Sequence, residues 1–445
     1  MSKVDGIPIS VKANISWENV ETTACSNILK GYYPPFDSDV VTALKSAGAI
    51  LIGQTNMDEF GMGSSCTNSA FGNTINSNPY LTDTIDNLIE SNTPPHESIT
   101  TSSSLLSAGG SSGGSASSVQ FRSSFASIGT DTGGSVRLPS SWCNVVGFKP
   151  TYGRISRFGV IAYASSLDTV GVIVPKAEDA KILIDVVSGL SMNDSTCLDA
   201  PKMECSSSIV AAADTAAADS DNKLPLTGKR IGIPAAYMVS EFPETLKAAW
   251  LVTLNKLESL GAEIVILEND GNSLTSKTIK SSLAAYYVIA CAEASSNLAK
   301  YDGVRYGSRE RNESVNYDVE YSNSRTALFG EEVKRRILCG NAVLSKKGIH
   351  YEIAMTLRKE IRNEFDNCFK QVDALILPCS VSPPIDIDNP EALEPTEMFA
   401  NDVMTVGASL AGLPAISVPA GDFIGMQLIG KKAEDEKLLN IAAFV

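Results

Sequence analysis

Histidine is nearly absent from this 445-residue chain: there are two, His96 and His350. His96 sits in a Ser/Thr/Pro-rich stretch that reads as a loop, and His350 follows Lys346-Lys347-Gly348 at a turn. Neither reads as a buried general base, which argues against a Ser-His-Asp triad. The nine cysteines are odd in number and scattered, without a Cys-x-x-Cys pair. That is a pattern of reduced thiols rather than of a disulfide framework or a zinc site, so no metal ligands are expected. No apolar run approaches a membrane span, and Met1-Ser2-Lys3-Val4-Asp5 shows neither a secretory apolar core nor an Arg-rich transit helix. Positive charge is short too: 36 Lys and Arg stand against 51 Asp and Glu, a net charge of −15. Such a surface repels nucleic acid, so any step on RNA or DNA calls for a partner.

What is present suits a globular enzyme. Apolar residues make up 43% of the chain, enough for a large core, and the length alone allows one to three domains. Short apolar runs read as buried strands at Gly6 to Asn14, Ala49 to Gly53, Lys229 to Pro234, Ala262 to Leu267, Asp373 to Pro378 and Ala415 to Pro419. Helical spacing marks Asp39 to Ala47, with its cap at Asp37-Ser38-Asp39, then 176–189, Glu244 to Leu260, Leu283 to Lys300 and Gly348 to Phe369. The alternation of strands and helices predicts one large α/β domain over residues 1–445. Two stretches interrupt it. Residues 80–107 shift to Ser, Thr, Asn, Asp and Pro and read as a polar surface insertion, while 192–227 read as weakly structured. Gly147 to Arg154 reads as a turn-rich connector.

The chain is organised around Ala108 to Leu138. Gly109-Gly110-Ser111-Ser112-Gly113-Gly114-Ser115 is followed by Thr130-Asp131-Thr132-Gly133-Gly134-Ser135, so that Ser111 and Ser135 lie 24 residues apart. Glycine runs admit positive φ and let backbone N–H groups crowd around one point. A serine ending such a turn is placed as a nucleophile beside an oxyanion hole. A flexible linker is disfavoured by the ordered-looking Val145-Val146-Gly147-Phe148 that follows, and a phosphate loop lacks its Lys-Ser/Thr ending. With histidine excluded, a desolvated lysine is the usual proton acceptor. Lys12, at the end of the first buried strand, is the candidate, the alternative being a strand-edge lysine that reaches solvent.

Taken together, Gly6-Ile7-Pro8-Ile9 with Val11-Lys12, the Gly109 to Ser115 cluster, and Asp131-Thr132-Gly133-Gly134-Ser135-Val136-Arg137 resemble the amidase signature family. The resemblance covers nearly the whole chain. It implies an α/β fold with a central mixed, twisted sheet covered by helices on both faces. It also implies a Ser-Ser-Lys mechanism: Ser135 as nucleophile, Lys12 as base, and Ser111, reached through a cis peptide, as the relay between them. Backbone N–H groups around Thr132, Gly133 and Gly134 are then the oxyanion hole. Ser112 and Ser115 read as turn-forming, and Asp131 and Arg137 as structural charges near the site.

Further stretches resemble the family's glutamine-hydrolysing amidotransferase branch. These are Phe60 to Ser65, Ala285 to Ile289, Tyr301 to Gly307, Phe329 to Ile337 and Met398 to Val403. That likeness implies glutamine as substrate, held by Arg336 and Asp402 with Tyr286 beside them; an arginine fork and a carboxylate are what a zwitterionic amino acid requires. On the residues alone, Arg336 reads as a helix-surface charge beside Lys334 and Arg335, and Asp402 as a helix N-terminal residue. The implied partners are the amidotransferase's tRNA-amidating subunit, expected to carry ATP and Mg²⁺, and a small accessory subunit, with tRNA bound mainly through them. No cofactor is implied in this chain. The likeness departs in two places: the Gly-Ile-Pro strand starts at residue 6, where the family has helices before it, and the Lys12-to-Ser111 interval is lengthened by the polar insertion. Both features are similar to the fungal mitochondrial form, which implies the mitochondrial matrix, with the cytoplasm as alternative. A stand-alone amidase for small amides is the second reading, and a non-catalytic scaffold a third that the intact Lys12, Ser111 and Ser135 oppose.

Overall fold

Strand propensity and burial place the functional loops. The structure, a computed structural model, describes residues 2–76, 105–201, 203, 224–238, 242–268, 273–310, 316–345, 347–389 and 395–445. Its ten strands are β1 (Pro8–Lys12), β2 (Ile50–Thr55), β3 (Ala126–Asp131), β4 (Val146–Lys149), β5 (Thr169–Val174), β6 (Arg230–Pro234), β7 (Glu263–Leu267), β8 (Ala374–Pro378), β9 (Ala415–Gly421) and β10 (Ile424–Gly430). They form one sheet in the order β2-β1-β3-β5-β4-β9-β10-β8-β6-β7. The pairs β2-β1, β1-β3, β8-β6 and β6-β7 are parallel, and the central pairs from β3 to β8 are antiparallel. The sheet is therefore mixed, as expected. Every residue of β3, β4, β5 and β8 is buried, so both faces of the sheet's middle are covered.

The helices are α1 (Asp39–Ser46), α2 (Gly113–Gln120), α3 (Arg137–Trp142), α4 (Ala177–Val187), α5 (Glu244–Ser259), α6 (Ser276–Leu298), α7 (Tyr317–Leu328), α8 (Glu331–Ser345), α9 (Ile349–Cys368), α10 (Pro395–Ala400), α11 (Val406–Ala411) and α12 (Asp435–Ala442). Helix α1 begins where the sequence places its cap: the Ser38 hydroxyl accepts the Val41 N–H at 3.2 Å. Helix α6 begins earlier than expected because Thr275 caps it, its hydroxyl accepting the Thr278 N–H. None of the described helices is long and apolar enough to cross a membrane.

Two expectations need correction. The connector proposed for 147–154 starts inside β4, where Lys149 is fully buried and donates to the Pro150 and Leu413 carbonyls. Of the proposed insertion, residues 80–104 lie outside the described residues; Leu105 is exposed as expected of a surface segment, but the last residue, Ser107, is not surface chain. Ser107 is buried, donates its N–H to the Ile385 carbonyl at 2.8 Å and its hydroxyl to the Ser65 carbonyl. Within 192–227, residues 202 and 204–223 are likewise outside the described residues, and the flanks are tied in by Leu198 N–H to Gly153 O (2.7 Å) and Leu226 N–H to Leu260 O (2.9 Å).

Candidate active site

Lys12 ends β1, parallel to β2 and β3, and its side chain is completely buried. The strand-edge alternative, in which it reaches solvent, does not hold. Its amine lies 2.8 Å from Ser111 Oγ, 2.8 Å from Ser112 Oγ and 3.2 Å from the Thr130 carbonyl. Removal from water pushes the ammonium's pKa down to about 8, while Cys66, Asp58 and Asp131 nearby pull the other way. Ser111 follows Gly110 through a cis peptide bond, and Ser112 stands at the start of α2.

Ser135 lies in the turn between β3 and α3 and is buried. Its carbonyl accepts the Ser112 N–H at 3.0 Å, which ties the two serine turns together beside Lys12. Asp131 shapes the turn from inside. Its Oδ2 accepts the Val136 and Arg137 N–H groups, and both its oxygens accept from the Arg137 guanidinium, at 3.0 and 2.8 Å. Burial would raise the Asp131 carboxyl, but Arg137 overcomes this and holds it below its ordinary value. Thr132 is buried and its hydroxyl is committed to Asp168 at 2.8 Å. Among the described residues the N–H groups of Thr132, Gly133, Gly134 and Ser135 have no acceptor. Buried donors left open are costly unless a ligand oxygen takes them, so this turn is prepared for an anion.

The three proposed substrate residues also converge. Tyr286 and Tyr287 lie side by side on α6, with ring centroids 5.0 Å apart. A Cβ on Gly133 would fall 2.5 Å from the Tyr286 hydroxyl, so glycine is what lets this tyrosine reach the turn. Arg336, on α8, is buried; its Nε donates to Glu332 at 2.7 Å and its Nη1 to the Tyr163 hydroxyl at 2.6 Å. Its guanidinium lies over the rings of Tyr163, Tyr287 and Phe399, and among the described residues its Nη2 has no hydrogen-bond partner. Asp402 accepts from the Tyr287 hydroxyl at 2.7 Å and from Ser64 at 2.9 Å, and burial raises its carboxyl despite those bonds. Tyr287 thus stands between Arg336 and Asp402. Arg336 faces inward, against the helix-surface alternative, while Asp402 does lie in the first turn of a short helical segment, Asn401–Met404, as the other alternative holds.

Sequence alone casts Ser112 as a turn-former and so misses its place in the site: the hydroxyl contacts Lys12 as closely as that of Ser111 does. Ser115 is structural as expected, sharing a hydrogen bond with Thr55 at 2.7 Å. His350 is exposed in the first turn of α9, and His96 lies outside the described residues.

The fold and this lysine–serine cluster define a serine-type amide-processing enzyme, and the comparisons agree. The family model described as Amidase matches residues 2–84 and 100–439, and the chain belongs to that family. It is 39% identical over 445 residues to a glutamyl-tRNA(Gln) amidotransferase subunit of Methanospirillum hungatei, covering 99% of this chain and 92% of that one. The like-named subunit of Rhizorhabdus wittichii is 40% identical, with 98% and 82% covered. The crystal structure of the like-named subunit from Thermotoga maritima superposes with a TM-score of 0.73 at 34% identity, covering 98% of this chain and 83% of that one.

Proposed function

We propose that this chain is the glutamine-hydrolysing subunit of a glutamyl-tRNA(Gln) amidotransferase, supplying ammonia to a partner that converts Glu-tRNA(Gln) to Gln-tRNA(Gln). The observation that carries the chemistry is the buried Lys12 amine among two serine hydroxyls and one carbonyl. The Ser112 hydroxyl donates its own proton to the Thr130 carbonyl (3.1 Å), so toward Lys12 it acts as acceptor. The Thr130 carbonyl can only accept. A neutral amine has two N–H groups, and these two partners use both, which turns the nitrogen lone pair to Ser111.

Proton flow follows from that arrangement. Ser111 gives its proton to Lys12 and takes one from Ser135, whose oxygen attacks the carboxamide carbon of glutamine. The carbonyl oxygen becomes an oxyanion held by the open N–H groups of the turn from Thr132 to Ser135, a contribution of about 3 kcal/mol to the barrier per donor. As the C–N bond breaks, the proton returns from Lys12 through Ser111 to the departing nitrogen, releasing ammonia. Water, deprotonated by the same relay, then hydrolyses the acyl ester to glutamate and restores Ser135. The Nη2 of Arg336 faces the α-carboxylate, Asp402 the α-ammonium, and Tyr286 stands at the turn beside the reacting carbonyl.

Three observations support a multi-subunit context. The relatives are named as subunits, the chain carries a net charge of −15, and Ile50 and Ile52 stand exposed on the edge strand β2. The reading assigns ATP, Mg²⁺ and most of the tRNA contact to the tRNA-amidating partner; the small accessory protein and the mitochondrial matrix are proposed on the resemblance to the fungal mitochondrial form alone. Ser135→Ala tests it. The complex should still assemble and still amidate Glu-tRNA(Gln) with free ammonium, while glutamine-dependent amidation and ammonia release disappear. Amidation lost even with ammonium supplied would remove the purely glutaminase role.

A further inference from the structure

One buried carboxylate beside this site remains without a task. Asp58, after β2, is fully buried, and among the described residues it forms no ion pair. Its Oδ2 accepts the Cys66 N–H at 2.9 Å, and its Oδ1 accepts the Asn68 backbone N–H at 3.1 Å and amide at 3.4 Å. Its own N–H donates to the Ser111 carbonyl at 3.2 Å. A Cβ on Gly110 would fall 2.0 Å from Asp58 Oδ2, and one on Gly63 would fall 2.4 Å from its Cγ. The carboxylate is thus wedged between the 58–68 loop and the peptide that presents Ser111.

The groups that bear on Lys12 by charge are Cys66, Asp58, Asp131 and Cys25. Burial lifts both thiols, Cys25 to about 11 and Cys66 further, so neither is charged near neutrality. Asp131 is neutralised by Arg137 at 2.8 Å. Asp58 has no ion-pair partner among the described residues, and the cations that act on its charge are Lys12 itself and Arg336. We infer that Asp58 is a positioning residue of the hydrolysis: with its N–H on the Ser111 carbonyl and its carboxylate against Gly110 it holds the relay serine, and its charge sets the pH at which Lys12 becomes a base. This rests on the reading of Lys12 as the proton acceptor. Burial raises Asp58 only to about 6, so it is ionised in the range where Lys12, at about 8, loses its proton.

The sign is fixed by electrostatics. A negative Asp58 favours the ammonium, so removing its charge moves the acid limb of the rate profile to lower pH. The test is the pH dependence of kcat and kcat/KM for glutamine hydrolysis by the intact complex. Asp58→Asn should shift the limb down by about one pH unit and lower the plateau kcat, with KM for glutamine unchanged. A limb that stays in place, or moves up, overturns the inference. Should Asp58→Asn not fold, Gly63→Ala keeps the charge and pushes the carboxylate aside. It should lower kcat without changing KM, and an unchanged kcat overturns the inference equally. A wild-type complex inert to glutamine and simple amides alike removes the base reading and this inference with it. Active wild type beside an unshifted Asp58→Asn limb removes this inference alone.

Discussion

Ser112 decides which way the Lys12 lone pair faces, although it neither attacks nor relays in the scheme above. Its hydroxyl is fixed by the Thr130 carbonyl and gives the amine one of two obligatory acceptors. In Ser112→Ala the amine is free to turn an N–H toward Ser111 and so compete with proton uptake. The expected result is a kcat lowered on the order of 10- to 100-fold, with KM for glutamine unchanged. Steady-state kinetics at the plateau pH check it, and a change confined to KM would contradict it. Lys12, Ser111 and Ser135 are legible in the sequence because two glycine turns and a lysine ending a buried strand, taken in order, carry the family resemblance; the lysine alone reads equally as a strand-edge residue. Ser112 is not legible. Two adjacent serines look alike in a string, and only the winding of α2 beside β3 shows that both hydroxyls face the amine. Asp58 is invisible for the same reason, since its meaning lies in two glycines that make room for it from different loops.

Helices α7 and α8 show where reading by period fails. The expected strands all appear, and α1, α4, α5 and α9 start or end within a few residues of their predicted bounds, because each buries an apolar face. In α7 the one residue that is fully buried is Ser324, and in α8 the buried face is Glu332, Val333, Arg336 and Gly340. That face lines a site rather than a core, so it carries no apolar stripe for a sequence reading to find. Strands β3, β5 and β10 escape it too. The polar face of α8 has a consequence. Arg336→Ala should raise KM for glutamine about 10- to 100-fold, the worth of a charge-assisted hydrogen bond, with a smaller effect on kcat. An unchanged KM would take Arg336 out of the substrate site. Lysine at this position should rescue little, because a single ammonium cannot serve Glu332, Tyr163 and the substrate carboxylate together.

Across the whole molecule, the two ends of the site are joined by Glu59, whose neighbour in sequence, Asp58, faces the relay. The Glu59 carboxylate accepts from the Ser26 hydroxyl and, at 2.8 Å, from the N–H of Gly330, immediately before α8. It therefore fastens the helix that carries Arg336 to the loops beyond β1 and β2, with Phe60 packed on Tyr301 and Phe329 alongside. Burial raises Glu59 from 4.5 to about 7, more than Ser26, Gly330 and Lys334 lower it. A carboxyl whose folded pKa lies above its unfolded value binds its proton more tightly in the fold. Its contribution to stability is thus complete below about pH 4.5 and is lost as pH rises through 7. Glutamine at this position copies the protonated form, keeping an acceptor for Gly330 and gaining a donor for Ser26. Relative to wild type, Glu59→Gln should therefore be more stable at pH 8 by about 3 kcal/mol, with the difference closing at pH 4.5. Urea unfolding midpoints of the two proteins across that range measure it. An offset independent of pH would mean that Glu59 is not the group whose ionisation strains the junction between the relay loop and α8.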